Sequence, residues 1–103
     1  MSYAEQLAEI VIRQATQTVI DQGADAPTGV ARETALFGPT GLLDSVGLVS
    51  LVLAIEQEVS ERFGVSVALA DEKALSQRHS PFRNVGTLVD YAVQEIEAKR
   101  AGN

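Results

Sequence analysis

Leu48, Val52, Ile55, Val59 and Phe63 follow one another at steps of four, three, four and four residues, the spacing that stacks side chains on one face of an α-helix. A strand, with its period of two, cannot gather that set on one side. Val49 and Leu51 flank the stripe and are expected to widen it. A helix is therefore predicted over Ser45–Phe63, with Asp44 or Ser45 as N-cap and Gly64 as its stop. Val46 and Leu53 fall outside the stripe. Seven residues apart on one side of the helix, they form an exposed apolar pair beside its start. Single exposed apolar residues are ordinary, but a pair in this position reads as a contact surface.

Two further stretches share the helical period. From Tyr3 to Asp21, the residues Tyr3, Ala4, Leu7, Ala8, Ile10, Val11 and Ala15 gather on one face, opposite Glu5, Glu9, Arg13, Thr16 and Gln17. Gly23 is the expected stop. A last helix is predicted from Asn84 as cap, with Val85, Leu88, Val89, Ala92 and Ile96 inward and fraying at Lys99-Arg100. Between the first two helices, Gly23 to Asp44 carries Gly23, Pro27, Gly29, Gly38, Pro39 and Gly41 with no helical period. This long loop should be tied down by Leu36, Phe37, Leu42 and Leu43 turning inward. After Gly64, Val65, Val67 and Leu69 alternate as an extended connection. Short helical turns are expected at Asp71–Leu75 and from Ser80-Pro81. The expected fold is all-α: one domain over 1–103, a bundle of three main helices plus one short helix, with a long first loop.

The chain has 103 residues, five of them aromatic, and neither Trp nor Cys. Its core must come from Val, Leu, Ile and Ala, which leaves little room for a deep catalytic pocket. The absence of Cys excludes disulfides, thiolate metal sites and a cysteine nucleophile. A net charge of −6 repels phosphate backbones, so nucleic acid is not an expected partner. No apolar run is long enough to span a membrane, and the first residues lack a signal-peptide pattern, so a cytoplasmic monomer is expected. No carboxylates show metal-loop spacing. His79, the one histidine, lies in a polar basic loop and reads as a surface residue. A Ser-His-Asp hydrolase needs an oriented histidine base, which this pattern does not supply.

Chemistry concentrates at Gly41-Leu42-Leu43-Asp44-Ser45-Val46, followed by Gly47-Leu48-Val49-Ser50-Leu51-Val52. Asp-Ser at a helix start is by itself an N-cap pattern. Here the serine also ends a long loop and opens a strongly periodic helix in an acidic, cysteine-free chain. The stretch resembles the attachment motif of acyl carrier proteins, in which Asp-Ser-Leu or a close variant opens the second helix. The resemblance continues through Leu51-Val52-Leu53-Ala54-Ile55-Glu56, then Phe63-Gly64-Val65, and ends at Asn84-Val85 to Tyr91. It covers most of the chain.

The resemblance implies a non-enzymatic carrier. Ser45 would bear 4′-phosphopantetheine, delivered by a phosphopantetheinyl transferase, making the chain a phosphoprotein. The helix N-terminus would offer N–H groups and its positive dipole end to the phosphodiester. Asp44 is the motif neighbour, and Val46, Leu53 and Glu56 are the expected partner contacts. Partners would be an acyl- or aminoacyl-loading ligase and a downstream acyltransferase or synthase. Fatty-acid-synthesis members carry acidic residues two and five positions after the serine, where this chain has Gly47 and Ser50. The local motif is also similar to D-alanyl carrier proteins. Both points suggest a specialised lipid or secondary-metabolite pathway rather than general fatty-acid synthesis. The alternative is an unmodified helical interaction module that binds one protein through Val46 and Leu53.

Overall fold

Each helix has a side chain or backbone device that starts it. A computed structural model describes residues 2–37, 41–69 and 82–101. Helix α1 spans Tyr3–Asp21, where Ser2 Oγ accepts the Glu5 N–H at 3.2 Å. It ends when Gly23 N–H reaches Ile20 O and Ala24 N–H reaches Val19 O, the paired closure of a Schellman turn. Helix α2 spans Ser45–Phe63, with Asp44 as N-cap and Gly64 as C-cap. Helix α3 spans Val85–Ala101. At its start Asn84 Oδ1 accepts from Thr87 N–H at 2.9 Å, while Thr87 Oγ accepts from Asn84 N–H at 3.1 Å. This reciprocal pair satisfies donors that a helix start leaves unmade.

The three helices form an all-α bundle, and no helix among the described residues is long and apolar enough to cross a membrane. The short helical turns expected at Asp71–Leu75 and from Ser80-Pro81, and the placement of His79, lie outside the described residues. α1 packs against both other helices. Gln22, at its end, meets Gly47 near the start of α2, and Tyr3, at its start, meets Phe63 at the end of α2, so the two run antiparallel. Tyr3 also meets Arg100, which makes α1 antiparallel to α3 as well.

The predicted stripes supply most of the core, with Tyr3, Ala4, Ala8 and Phe63 only partly buried against it. Leu48, Val52, Ile55 and Val59 of α2, with Leu51 beside them, are buried with Leu7, Ile10, Val11 and Ala15 of α1 and Val85, Leu88, Val89, Ala92 and Ile96 of α3. Fully burying one such side chain stabilises the fold by roughly 1.5–3 kcal/mol. Val67 and Leu69 enter the same core while Ser66 and Ala68 stay exposed, as the alternation after α2 requires. Phe82 is also buried, edge-on to Tyr91 at 6.3 Å.

Three expectations change. Phe37 does not turn inward with Leu36 and Leu43 but is 44% exposed. Val49 does not widen the stripe; it is 47% exposed while Leu51 is buried, on the face where Gly47 meets Gln22 and Glu58 meets Arg13. α3 does not fray at Lys99-Arg100. Arg100 donates to the Phe63 carbonyl at 2.8 Å and stands 5.4 Å from the Tyr3 ring centre, so the last turn is held by its neighbours.

The long loop is pinned by backbone bonds. Leu36 N–H donates to Arg83 O, Val85 N–H to Thr34 O and Gly86 N–H to Arg32 O, around an antiparallel bridge between Ala35 and Asn84. The chain then doubles back, with Leu42 N–H on Ala35 O and Leu43 N–H on Leu36 O. That turn needs glycine at 41: a Cβ there would lie 2.6 Å from Phe37 N and 2.7 Å from Leu36 C, both backbone atoms that cannot step aside. The loop thereby ties the start of α3 to the start of α2, where the candidate site lies.

Candidate functional site at the start of the second helix

Ser45 is the first residue of α2 and is exposed. Asp44, also exposed, holds an extended backbone, and its Oδ1 accepts the Gly47 N–H at 2.8 Å. Its backbone carbonyl accepts the Leu48 N–H at 2.9 Å. Asp44 is thus the N-cap and Ser45 is left outside the capping bonds. The carboxyl of Asp44 titrates below its ordinary value of 3.8, first because the Gly47 N–H stabilises its charge and then because the Gln22 amide does. At neutral pH a carboxylate therefore stands beside the Ser45 hydroxyl.

This alters the expected electrostatics of the helix start. Of the N–H groups expected at the helix start, that of Gly47 is already taken by Asp44. An anion on Ser45 would meet the dipole end of the helix and a neighbouring negative charge together.

Gly47 proves to be a packing position. It is buried, and a Cβ placed on it would lie 2.9 Å from both Nε2 and Oε1 of Gln22. The Gln22 amide lies over it and donates to Asp44 Oδ1 at 3.4 Å. The absence of a charge at position 47 is thus also a fit between two helices. No spacing rule links residues 22 and 47, so sequence reasoning missed Gln22.

Val46 is 69% exposed and Leu53 53% exposed, as their places off the buried stripe required. Val49 lies between them, three residues after one and four before the other, so the three make a continuous apolar ridge running from Ser45 along α2. The signal was present in the sequence, because 46, 49 and 53 themselves follow a helical step.

Glu56 and Glu58 are not simply solvated. Glu56 Oε2 accepts the Leu69 N–H at 2.6 Å, which ties the extended connection to α2. Glu58 pairs with Arg13 across the α1–α2 interface, accepts the Gln14 amide at 2.8 Å and lies 3.4 Å from Arg62. The hydrogen-bonded Arg13 guanidinium is the main reason that the Glu58 carboxyl titrates below its ordinary value. An open polar groove lined by Arg13, Gln14, Gln57, Glu58, Glu61 and Arg62 runs here, toward the far end of α2 from Ser45. Among the described residues no group of His, Asp or Glu is arranged to hold a metal ion.

Comparison with family models, with curated proteins and with solved structures returned no match.

Proposed function

We propose that this chain is a carrier domain of the acyl carrier type, modified at Ser45 with 4′-phosphopantetheine. The observation that carries the reading is an exposed serine at the first position of α2, continued along that helix by the exposed ridge of Val46, Val49 and Leu53. The pattern suits a residue presented to another enzyme, with an apolar surface beside it for that enzyme to grip. Ser45 also fits the group chemically. Its hydroxyl stands outside the capping bonds at an exposed helix start, so Ser45 would hold the phosphodiester at an accessible position. The bound group supplies a thiol, which this cysteine-free chain lacks, to hold an acyl or aminoacyl unit as a thioester.

The chain's own residues do the rest. Asp44 closes the first turn of α2 and so fixes where Ser45 points. The backbone bonds of residues 32–36 and 42–43 tie that helix start, through the loop, to the start of α3. The domain performs no chemistry alone; the transferase, the loading ligase and the downstream acyltransferase or synthase act on it. With Gly47 and Ser50 in place of carboxylates, electrostatic steering by basic partners is weaker beside the arm, which favours a specialised pathway.

The exposed ridge also suits an unmodified module that binds one protein, and intact mass separates the two readings. Incubation with coenzyme A and a broad-specificity phosphopantetheinyl transferase should add one phosphopantetheine to the protein and none to Ser45→Ala. An unchanged mass with several transferases removes the carrier reading and leaves the interaction module.

A further inference from the structure

We propose that Gln22, the C-cap residue of α1, is a positioning residue for modification of Ser45, acting through Asp44 and accommodated by Gly47. The proposal rests on the carrier reading and adds to it a residue from another helix, 23 positions before the serine.

Three observations converge. The Gln22 amide Nε2 donates to Asp44 Oδ1, the same oxygen that accepts the Gly47 N–H. Two donors from two helices thus hold one carboxylate oxygen and set the plane of the carboxyl group beside Ser45. Gly47 is buried although it lies in the first turn of an exposed helix start, and what lies over it is the Gln22 side chain. Any larger residue at 47 would meet the amide at 2.9 Å, closer than ordinary contact, so the amide would have to leave the place from which it reaches Asp44. Gln22 and Gly47 therefore work as a pair: the missing side chain on α2 makes room for the amide of α1, and the amide orients the capping carboxylate. The Schellman closure through Gly23 and Ala24 fixes the backbone that carries Gln22, so the amide is delivered from a defined place.

The chemical consequence concerns orientation, since Gln22 neither touches Ser45 in these contacts nor exchanges a proton. A transferase that approaches Ser45 meets the Asp44 carboxylate as part of the surface it must match. If the amide is lost, the carboxylate keeps its capping bond but loses the second restraint on its direction.

The test uses Gln22→Ala, Gln22→Met, which keeps the cover over Gly47 without the donor, and Gln22→Glu, which replaces the donor with a like charge. Gly47→Ala displaces the amide from the other side. Two readouts are taken on the intact chain: the titration of the Asp44 carboxyl carbon by NMR, and kcat/KM for transfer from coenzyme A. The Asp44 titration should move upward in Gln22→Ala, Gln22→Met and Gly47→Ala, and further in Gln22→Glu. Transfer should slow by roughly threefold, the low end for one hydrogen bond because this one is long and exposed. Adding Gly47→Ala to Gln22→Ala should change neither readout further, since both act on the same amide. Helix propensity favours Ala over Gly, so Gly47→Ala should slow transfer without lowering stability, which a merely structural role does not give. An Asp44 titration identical in all variants overturns the proposal, as does a titration that moves while transfer stays unchanged. Should the native chain accept no phosphopantetheine at all, the carrier reading fails with it, and the titration separately reports whether Gln22 holds Asp44.

Discussion

At one end of the bundle, where α1 begins and α2 and α3 finish, Tyr3 meets Phe63 edge-on at 5.3 Å and Arg100 seals the Phe63 carbonyl. At the other end, α1 finishes where α2 and α3 start, and beside the Phe82–Tyr91 ring pair the joints are backbone hydrogen bonds of the long loop, the Asp44 cap and the Gln22 amide. Among the described residues, the large hydrophobic side chains left exposed, Ile20, Phe37, Val46, Val49 and Leu53, belong to this second half. Aromatic and cation–π contacts cover part of their own surface at the first end. Polar joints hold the backbone in place while leaving side chains outside. The difference teaches that apolar side chains are left outside at the end where polar joints, rather than ring contacts alone, fix the backbone.

The largest effect should come from crossing α2 within its own length. Ile55 is fully buried and Leu53, two residues earlier, is 53% exposed. Ile55→Ala should lose about 2–4 kcal/mol of stability in denaturant unfolding. Leu53→Ala should change it by about 0.5 kcal/mol or less, while slowing modification of Ser45 or loading of the arm. If Leu53→Ala unfolds the domain as Ile55→Ala does, the ridge is part of the core and the comparison collapses.

A smaller effect should come from opening the sealed end. Arg100→Ala removes a hydrogen bond to a helix-terminal carbonyl and a cation above the Tyr3 ring, together about 1 kcal/mol at this exposed position. The melting temperature should fall while transfer of phosphopantetheine to Ser45 keeps its rate. A loss of transfer without a loss of stability would show that the two ends are coupled.

The smallest effect lies between the ends, at Arg13–Glu58. Glu58 has its folded titration lowered by Arg13, so its contribution is whole above the ordinary glutamate value of 4.5 and fades as pH falls through the lower folded value. Arg13 is half exposed, and screening keeps the pair near about 0.5 kcal/mol. Thermal melts across acid pH should show a shallower loss of stability in Glu58→Gln than in the native chain. Equal slopes would mean that the pair adds nothing beyond packing of its stems.

Helix positions and the buried faces were legible in the sequence because both follow from local repetition. The stripe Leu48–Phe63, the inward residues of α3, the cap Asn84 and the choice of Asp44 or Ser45 as cap of α2 each depend on neighbours within a few residues. The same locality made Ser45 visible, and with it the proposal of a carrier. What only the tertiary structure decided were meetings between residues far apart in the chain. α1 meets α2 on the flank of Leu51, which is buried while Val49 is exposed. Arg83 and Thr34 engage Leu36 and Val85 in backbone bonds, so the loop is pinned there while Phe37 is exposed. Arg100 finds the Phe63 carbonyl and holds a turn that its basic tail suggested would fray. Gly47 read as a missing charge on a docking surface until Gln22 was seen to lie over it. Periodicity states which face of a helix is apolar; which helix arrives to cover it, and with which side chain, is set by the packing of the whole chain.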